Sequence, residues 1–301
     1  MAELADLFPG FATQRIDTPI GRMFARTGGD GPPLLLLHGY PQTHVMWHRI
    51  ALALAQRFTL VIPDLPGYGA SASPPGDASH APYDKRSMAK VMVAVMESLG
   101  CENFFLAGHD RGGRVAYRLA LDHPARVTRL ATLDIVPTAD MWHAWDRAMA
   151  MKAYHWTFLA QPAPLPEMLI EKAPVAYLER KLASWTKAKN LSAFEPAALD
   201  HYRAAFSDPV HIHAHCEDYR AGIGADLAND EADQAAGNTI ACPLLALWGS
   251  SGFPSDTSGP LKIWRQWAPL AEGKPIDSGH FLPEENPDAT TAALLEFFGR
   301  S

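Results

Sequence analysis

The sequence predicts an α/β protein: a mostly parallel central sheet with helices on both faces and a helical segment inserted late in the chain. Three observations carry this expectation. Short apolar runs alternate with stretches of helical spacing and show little period-2 patterning, as strands buried on both faces do. The run Phe104-Phe105-Leu106-Ala107 leads through Gly108-His109-Asp110-Arg111-Gly112 into the helix-like stretch Val115 to Leu121. Between Pro137 and about Asn238 the texture changes: aromatic residues, Met and Pro crowd into helical-looking pieces, and no strand run is evident.

In chain order, Pro33 to Leu37 reads as a buried strand ending in the loop His38-Gly39-Tyr40-Pro41. Phe58 to Pro63 is a second strand, followed by the turn Asp64-Leu65-Pro66-Gly67-Tyr68-Gly69. That Gly-x-Gly lacks the third glycine and helix onset of a dinucleotide site, so it reads as a tight turn. Met88 to Leu99 is periodic at helical spacing. Leu130 to Val136 is the next strand and carries Asp134 near its end. Pro243 to Trp248 is a further buried strand, and Ala289 to Phe298 a closing helix with Asp288 as N-cap. The expected division is a core over 1–137, a helical lid over 138–238 above the carboxyl edge of the sheet, where open α/β folds place ligands, and the rest of the core over 239–301.

Composition narrows the class of partner. The 301 residues suffice for a large core, and 48% hydrophobic with 20% charged residues describes an ordinary soluble globular chain. A formal net charge of −7 argues against nucleic acid or an anionic membrane as partner. An anionic substrate would then have to be drawn in by local cations. Cys101, Cys216 and Cys242 are far apart and indicate neither a disulfide framework nor a zinc site. With no basic-then-apolar leader and no apolar run of about 20 residues, the expectation is a cytoplasmic protein without membrane contact.

The chemistry is expected at the strand–turn–helix step. Glycines flank Asp110 because the turn is too tight for side chains on either side. An aspartate at such a tip can attack saturated carbon and form an alkyl ester. A second half-reaction then needs a base, and the base an orienting acid. Asp277-Ser278-Gly279-His280-Phe281 supplies a histidine in a loop before the last helix. Folds of this kind often carry the acid after the strand that ends here in Trp248-Gly249. Ser250, Ser251 and Gly252 fill that loop, with no carboxylate before Asp256, so Asp134 is the better candidate.

Gly108-His109-Asp110-Arg111-Gly112-Gly113-Arg114, His38-Gly39-Tyr40-Pro41, His155-Trp156 and Ser278-Gly279-His280 together resemble the fluoroacetate dehalogenases of the α/β-hydrolase superfamily. The resemblance runs nearly end to end and implies an α/β-hydrolase fold with a lid. It implies Asp110 as nucleophile, His280 as base and Asp134 as acid. Arg111 and Arg114 become the clamp on the substrate carboxylate, consistent with the planar fork of guanidinium. His155, Trp156 and Tyr219 become donors to the departing halide, and the backbone N–H groups of Tyr40 and Arg111 the oxyanion donors. The implied reaction converts a haloacid and water to a hydroxy acid and halide, with no metal or organic cofactor, in a homodimer. Tyr40 departs from the phenylalanine usual there, and adds a hydroxyl beside the site.

Two other readings stay open. An epoxide hydrolase shares Asp110 and His280 and would use lid tyrosines, for which Tyr154 and Tyr219 are candidates, but such enzymes usually carry tryptophan where Arg111 stands. A non-catalytic binding protein on the same scaffold would have no need of both Asp110 and His280. His211, His213 and His215 alternate as a strand-borne metal site or a solvated stripe would, without a convincing fourth ligand. Lys152 and Lys181 are candidates for guiding anions toward the lid entrance.

Overall fold

The apolar runs do pair as parallel strands, with two antiparallel strands added at one edge. The computed structural model describes residues 4–254 and 259–300. Its strands are β1 (Ala12–Thr18), β2 (Gly21–Gly28), β3 (Pro33–Leu37), β4 (Thr59–Pro63), β5 (Phe104–His109), β6 (Val127–Leu133), β7 (Leu244–Gly249) and β8 (Ala271–Ile276). They form one sheet in the order β1-β2-β4-β3-β5-β6-β7-β8, in which β2 is antiparallel to both neighbours and the rest are parallel. The central strands are buried on both faces. Leu34 to Leu37 are all 0% exposed, and truncating any one of them to Ala would cost about 2–5 kcal/mol.

Helices α1 (His48–Leu54), α2 (Lys85–Ser98) and α3 (Asp110–Asp122) connect the strands up to β6. Asp84 caps α2 by accepting the Ser87 N–H at 2.8 Å. Between β6 and β7 the described residues are helical: α4 (Thr138–His143), α5 (Arg147–Lys152), α6 (His155–Leu159), α7 (Leu165–Ile170), α8 (Pro174–Trp185), α9 (Pro196–Phe206), α10 (Pro209–Ile223) and α11 (Ala225–Ala236). Then α12 (Pro260–Trp267) joins β7 to β8, and α13 (Leu282–Glu285) and α14 (Pro287–Phe298) close the chain.

Several expectations need correction. β6 ends at Leu133 rather than Val136, because Asp134 turns the chain with φ of +54°, a conformation that strands cannot continue. The cap of α14 is Asn286, whose side chain accepts the Ala289 N–H; Asp288 lies in the first helical turn. His211, His213 and His215 lie on α10, not on a strand. His211 Nδ1 meets the Ala205 carbonyl, His213 Nδ1 meets Glu167, and His215 is buried with its ring 4.3 Å from that of Tyr68. Among the described residues no group of three or more such side chains could hold a metal ion, and no helix is long and apolar enough to cross a membrane. The three cysteines are free. Asp256 lies outside the described residues.

A buried carboxyl ties the fold together beside the site. Glu284 of α13 accepts from the Tyr202 hydroxyl of α9 at 2.9 Å and from the Gln42 side-chain amide. Burial pushes its pKa up to about 8. In the unfolded chain a glutamate titrates near 4.3. The stability held by protonated Glu284 is therefore complete below the unfolded value and lost as pH rises through about 8. Glu284→Gln removes this titration, so its Tm should fall less than the parent's between about pH 5 and about pH 8. Parallel melting curves for parent and variant would contradict the assignment.

Candidate active site

The site begins with a backbone that only small neighbours permit. Asp110 closes β5 and opens α3 with φ of +47°, an uncommon conformation for a residue with a side chain. A Cβ at Gly112 would lie 2.2 Å from the His38 carbonyl oxygen, and one at Gly39 would lie 2.4 Å from Asp110 Cβ. These glycines let the β3 loop and the start of α3 touch, which thrusts the Asp110 carboxylate to the carboxyl end of the sheet. There Oδ1 accepts the Tyr40 N–H at 3.1 Å. The Arg111 N–H belongs to the first helical turn, where amides lack an intrahelical carbonyl, so it too can serve an anion at this point.

His280 stands across from Asp110, with Nε2 3.9 Å from Asp110 Oδ2. That is too long for a hydrogen bond. Its Nδ1–H donates to Asp134 Oδ2 at 2.6 Å, and Asp134 Oδ1 accepts the Gly249 N–H at 2.8 Å. The backbone of His280 is held on both sides: its N–H donates to the Trp185 carbonyl of α8 at 3.0 Å, and its carbonyl accepts from His109 Nε2 at 2.8 Å. Burial alone would lower the His280 pKa, but the Asp134 hydrogen bond and charge outweigh it, and the net shift is upward. Burial raises the pKa of Asp134.

The empty position at Gly252 has a direct structural reason. A Cβ there would lie 2.2 Å from Asp134 Oδ1. The carboxylate from the end of β6 occupies the space that a side chain on the loop after β7 would fill. An acid can therefore reach His280 from either strand, but not from both.

The structure gathers the remaining sequence candidates around Asp110. Arg111 is 0% exposed, yet its fork is largely taken. Nε donates to Asp218 Oδ1 at 3.0 Å, and Nη2 donates to the Asp218 carbonyl at 2.8 Å and to the same carboxylate oxygen. Nη1 is buried without a partner. Arg114 Nη1 donates to the Val136 carbonyl and to Thr138 Oγ1, and its Nε is likewise buried without a partner. Each guanidinium thus keeps one buried nitrogen without a partner, Nη1 in Arg111 and Nε in Arg114. Burial lowers the pKa of Arg114, whereas for Arg111 the Asp218 charge outweighs burial and raises it.

His155, Trp156 and Tyr219 surround the same point. Trp156 and His155 line a cavity of about 20 Å³ with Asp110, Arg114, Asp134 and His280. The Trp156 ring lies 4.5 Å from the Arg114 guanidinium, and the Tyr219 ring 4.4 Å from that of Arg111. The Tyr219 hydroxyl and His155 Nδ1 are buried without partners. Burial and the Asp110 charge hold the Tyr219 pKa well above its usual value, and burial holds that of His155 far below. Both side chains are therefore neutral hydrogen-bond donors near neutral pH. Tyr154, by contrast, is 44% exposed and sits in an outer vestibule of about 270 Å³. Lys152, Arg180, Lys181 and Lys189 line that vestibule with Trp185, Phe253 and His280, and among the described residues no carboxylate lines it. Burial brings the Lys181 pKa down to about 7.

Three residues that sequence reasoning missed are central here. Asp218 and Lys85 fix Arg111 from within the protein, and Trp185 lines both the vestibule and the inner cavity. Charged residues in a helical stretch carry no sequence signal of burial, so nothing local marks them.

A family model for the alpha/beta hydrolase fold matches residues 32–287. The chain is 41% identical over 291 residues to a fluoroacetate dehalogenase from Burkholderia sp, covering 97% of this chain and 95% of that protein. It is 32% identical over 279 residues to a soluble epoxide hydrolase from Corynebacterium sp. (strain C12), covering 92% and 93%. The crystal structure of an alpha/beta hydrolase from Nostoc sp PCC 7120 superposes with a TM-score of 0.94 at 49% identity, covering 97% of this chain and 99% of that one. An eight-stranded, mostly parallel sheet with this elbow defines an enzyme of the hydrolase class. The chain belongs to the α/β-hydrolase family and, within it, to the branch that contains the fluoroacetate dehalogenase.

The geometry makes one prediction independent of any substrate. The His280 imidazole should titrate above the usual 6.5 in the parent, and Asp134→Asn should move it to below that value. Imidazole proton shifts followed by NMR across the pH range would measure both midpoints. An unshifted midpoint in the variant would contradict the charge pairing.

Proposed function

We propose that the chain is a haloacetate dehalogenase, a hydrolase acting on carbon–halide bonds, that converts fluoroacetate and water to glycolate and fluoride. Residues 138–238 act as a lid over a core formed by 1–137 and 239–301. The observation that carries the reading is the pair of buried guanidinium nitrogens without partners, Nε of Arg114, which lines the inner cavity with Asp110, and Nη1 of Arg111, the residue that follows Asp110 in the chain. Left unpaired they are costly, and a carboxylate oxygen on each would satisfy them with charge-assisted bonds. A neutral epoxide or haloalkane offers them nothing.

With the carboxylate so held, the α-carbon faces Asp110 Oδ2 and the halogen faces His155, Trp156 and Tyr219. The Asp110 carboxylate forms a C–O bond to the α-carbon as the C–F bond breaks, and fluoride leaves with the electron pair. Hydrogen bonds to such an anion contribute about 1.5–3 kcal/mol each, so three donors lower the barrier by several kcal/mol. His280 Nε2 then takes a proton from water, which attacks the Asp110 ester carbonyl rather than the glycolyl carbon. The developing oxyanion is the Oδ1 oxygen already bonded by the Tyr40 N–H, with the Arg111 N–H as second donor. Asp134 stabilises the imidazolium, and collapse of the intermediate releases glycolate. No step draws on a cofactor.

The second reading, an epoxide hydrolase, is favoured by the 32% identity to the Corynebacterium enzyme. It calls for two phenols near the nucleophile, and Tyr154 is in the vestibule. Halide release from fluoroacetate and chloroacetate, assayed beside diol formation from a simple epoxide, separates the two. Halide without diol is expected; diol without halide would overturn the proposal.

The covalent step and the clamp each have their own test. In His280→Ala, substrate should add a carboxymethyl mass to the peptide containing Asp110, and an adduct elsewhere would contradict the nucleophile. Arg111→Leu should lower kcat/KM for haloacetates by at least about 10²-fold, because a charge-assisted contact and its alignment are lost together. Haloacetamide should already be a poor substrate for the parent and should suffer less.

A further inference from the structure

Arg111 is fixed on every side but one. Asp218, on α10 of the lid, is 0% exposed and holds Nε and Nη2 through its carboxylate and its own carbonyl. The Tyr219 ring covers the guanidinium at 4.4 Å. Gly222 makes room beside it, since a Cβ there would lie 3.2 Å from Nη2. Asp218 is in turn held by the core. Its Oδ2 accepts the Tyr68 hydroxyl at 2.8 Å, and its Oδ1 accepts from Lys85 Nζ. Lys85 also lies 3.3 Å from Asp226 Oδ2, and its backbone N–H donates to Asp226 Oδ1 at 2.7 Å.

The charges within this cluster cancel. Arg111 and Lys85 are matched by Asp218 and Asp226, and all four side chains are buried. Arg114, a turn further along α3, makes no ion pair among the described residues; its Nη1 donates only to a carbonyl and a hydroxyl. The two arginines are therefore not equivalent. Arg114 brings the uncompensated positive charge, whereas Arg111 brings one unpaired Nη1 group in a fixed position.

We propose that Asp218, braced by Tyr68 and Lys85, is a positioning residue that aims the unpaired Nη1 group of Arg111 at the substrate carboxylate, so that the clamp is complete only when the lid is docked on the core. This rests on the carboxylate-binding reading above. A buried ion pair that merely fastens the lid is the competing account, and charge separates the two. Replacing Asp218 with Asn keeps the shape but makes the pocket one charge more positive. Attraction alone would then tighten anion binding and lower KM. Loss of aim raises KM despite the stronger field.

The experiment compares the parent and Asp218→Asn in the full chain, with steady-state kinetics on chloroacetate and 2-chloroacetamide and inhibition by acetate. The expected result is a rise of about tenfold or more in KM for chloroacetate and a matching rise in the acetate inhibition constant, as loss of an aligned charge-assisted contact implies. The amide's kcat/KM should change by less than about threefold, because that substrate lacks the carboxylate. An unchanged or lowered KM for chloroacetate, or equal losses on acid and amide, would overturn the inference. Tyr68→Phe leaves every charge in place and removes one bond to Asp218, so it carries the test if Asp218→Asn does not fold. Its KM for chloroacetate should rise about two- to fivefold with the amide unaffected, and no change would likewise overturn the inference. A parent enzyme that releases no halide from chloroacetate would instead end the carboxylate reading itself.

Discussion

The contact on which the rest of the site depends is that of the Asp110 elbow with the loop after β3. Gly112 presses on the His38 carbonyl and Gly39 on Asp110 itself, at separations that leave no space for a Cβ. Asp110 takes a positive φ as a consequence, and the strain is borne by packing on all sides. The same approach brings the Tyr40 N–H onto Asp110 Oδ1 and leaves Oδ2 facing His280. The two oxygens are thus made unequal before any ligand arrives. In the proposed reaction one is the nucleophile and the other the oxyanion, and the backbone has already assigned them.

Electrostatics adds a second constraint. Seven ionisable side chains of the site (Asp110, Arg111, Arg114, Asp134, Asp218, His280 and Lys85) are buried together, and isolated charges in such surroundings are costly. Most are paired: Arg111 and Lys85 with Asp218, and His280 with Asp134. Arg114 has no such partner among the described residues and lines the inner cavity with Asp110, and even the paired Arg111 keeps its Nη1 without a hydrogen bond. A vestibule lined by four basic side chains leads toward them in a chain whose net charge is −7. Local field, rather than overall charge, would draw an anion in.

Much of this was legible in the sequence where burial acts on short range. Strands β3 to β7 announce themselves as apolar runs because both faces are covered. β1 and β2 do not: the edge strand β1 is mostly exposed, β2 buries only Met23 to Ala25, and β8, with the sequence AEGKPI, is half exposed. Asp110 and His280 were legible from glycine-flanked loops in the right order. Asp134 was legible only through what Gly252 lacks, and the overlap of the two positions is the physical reason that one excludes the other. Asp218 and Lys85 were invisible. Their partners lie 107 and 133 residues away in sequence, and a helical Asp or Lys looks solvated until the lid is folded over it. For the same reason the sequence showed two arginines but not that one of them was already engaged.

The central claim is that Asp110, not water, attacks the substrate carbon. A single turnover of fluoroacetate by excess enzyme in oxygen-18 water tests it directly. If the ester forms, the first glycolate takes its new oxygen from Asp110 and carries no label, and the label appears in the peptide containing Asp110. Fully labelled glycolate from that first turnover, with Asp110 unlabelled, would contradict the account.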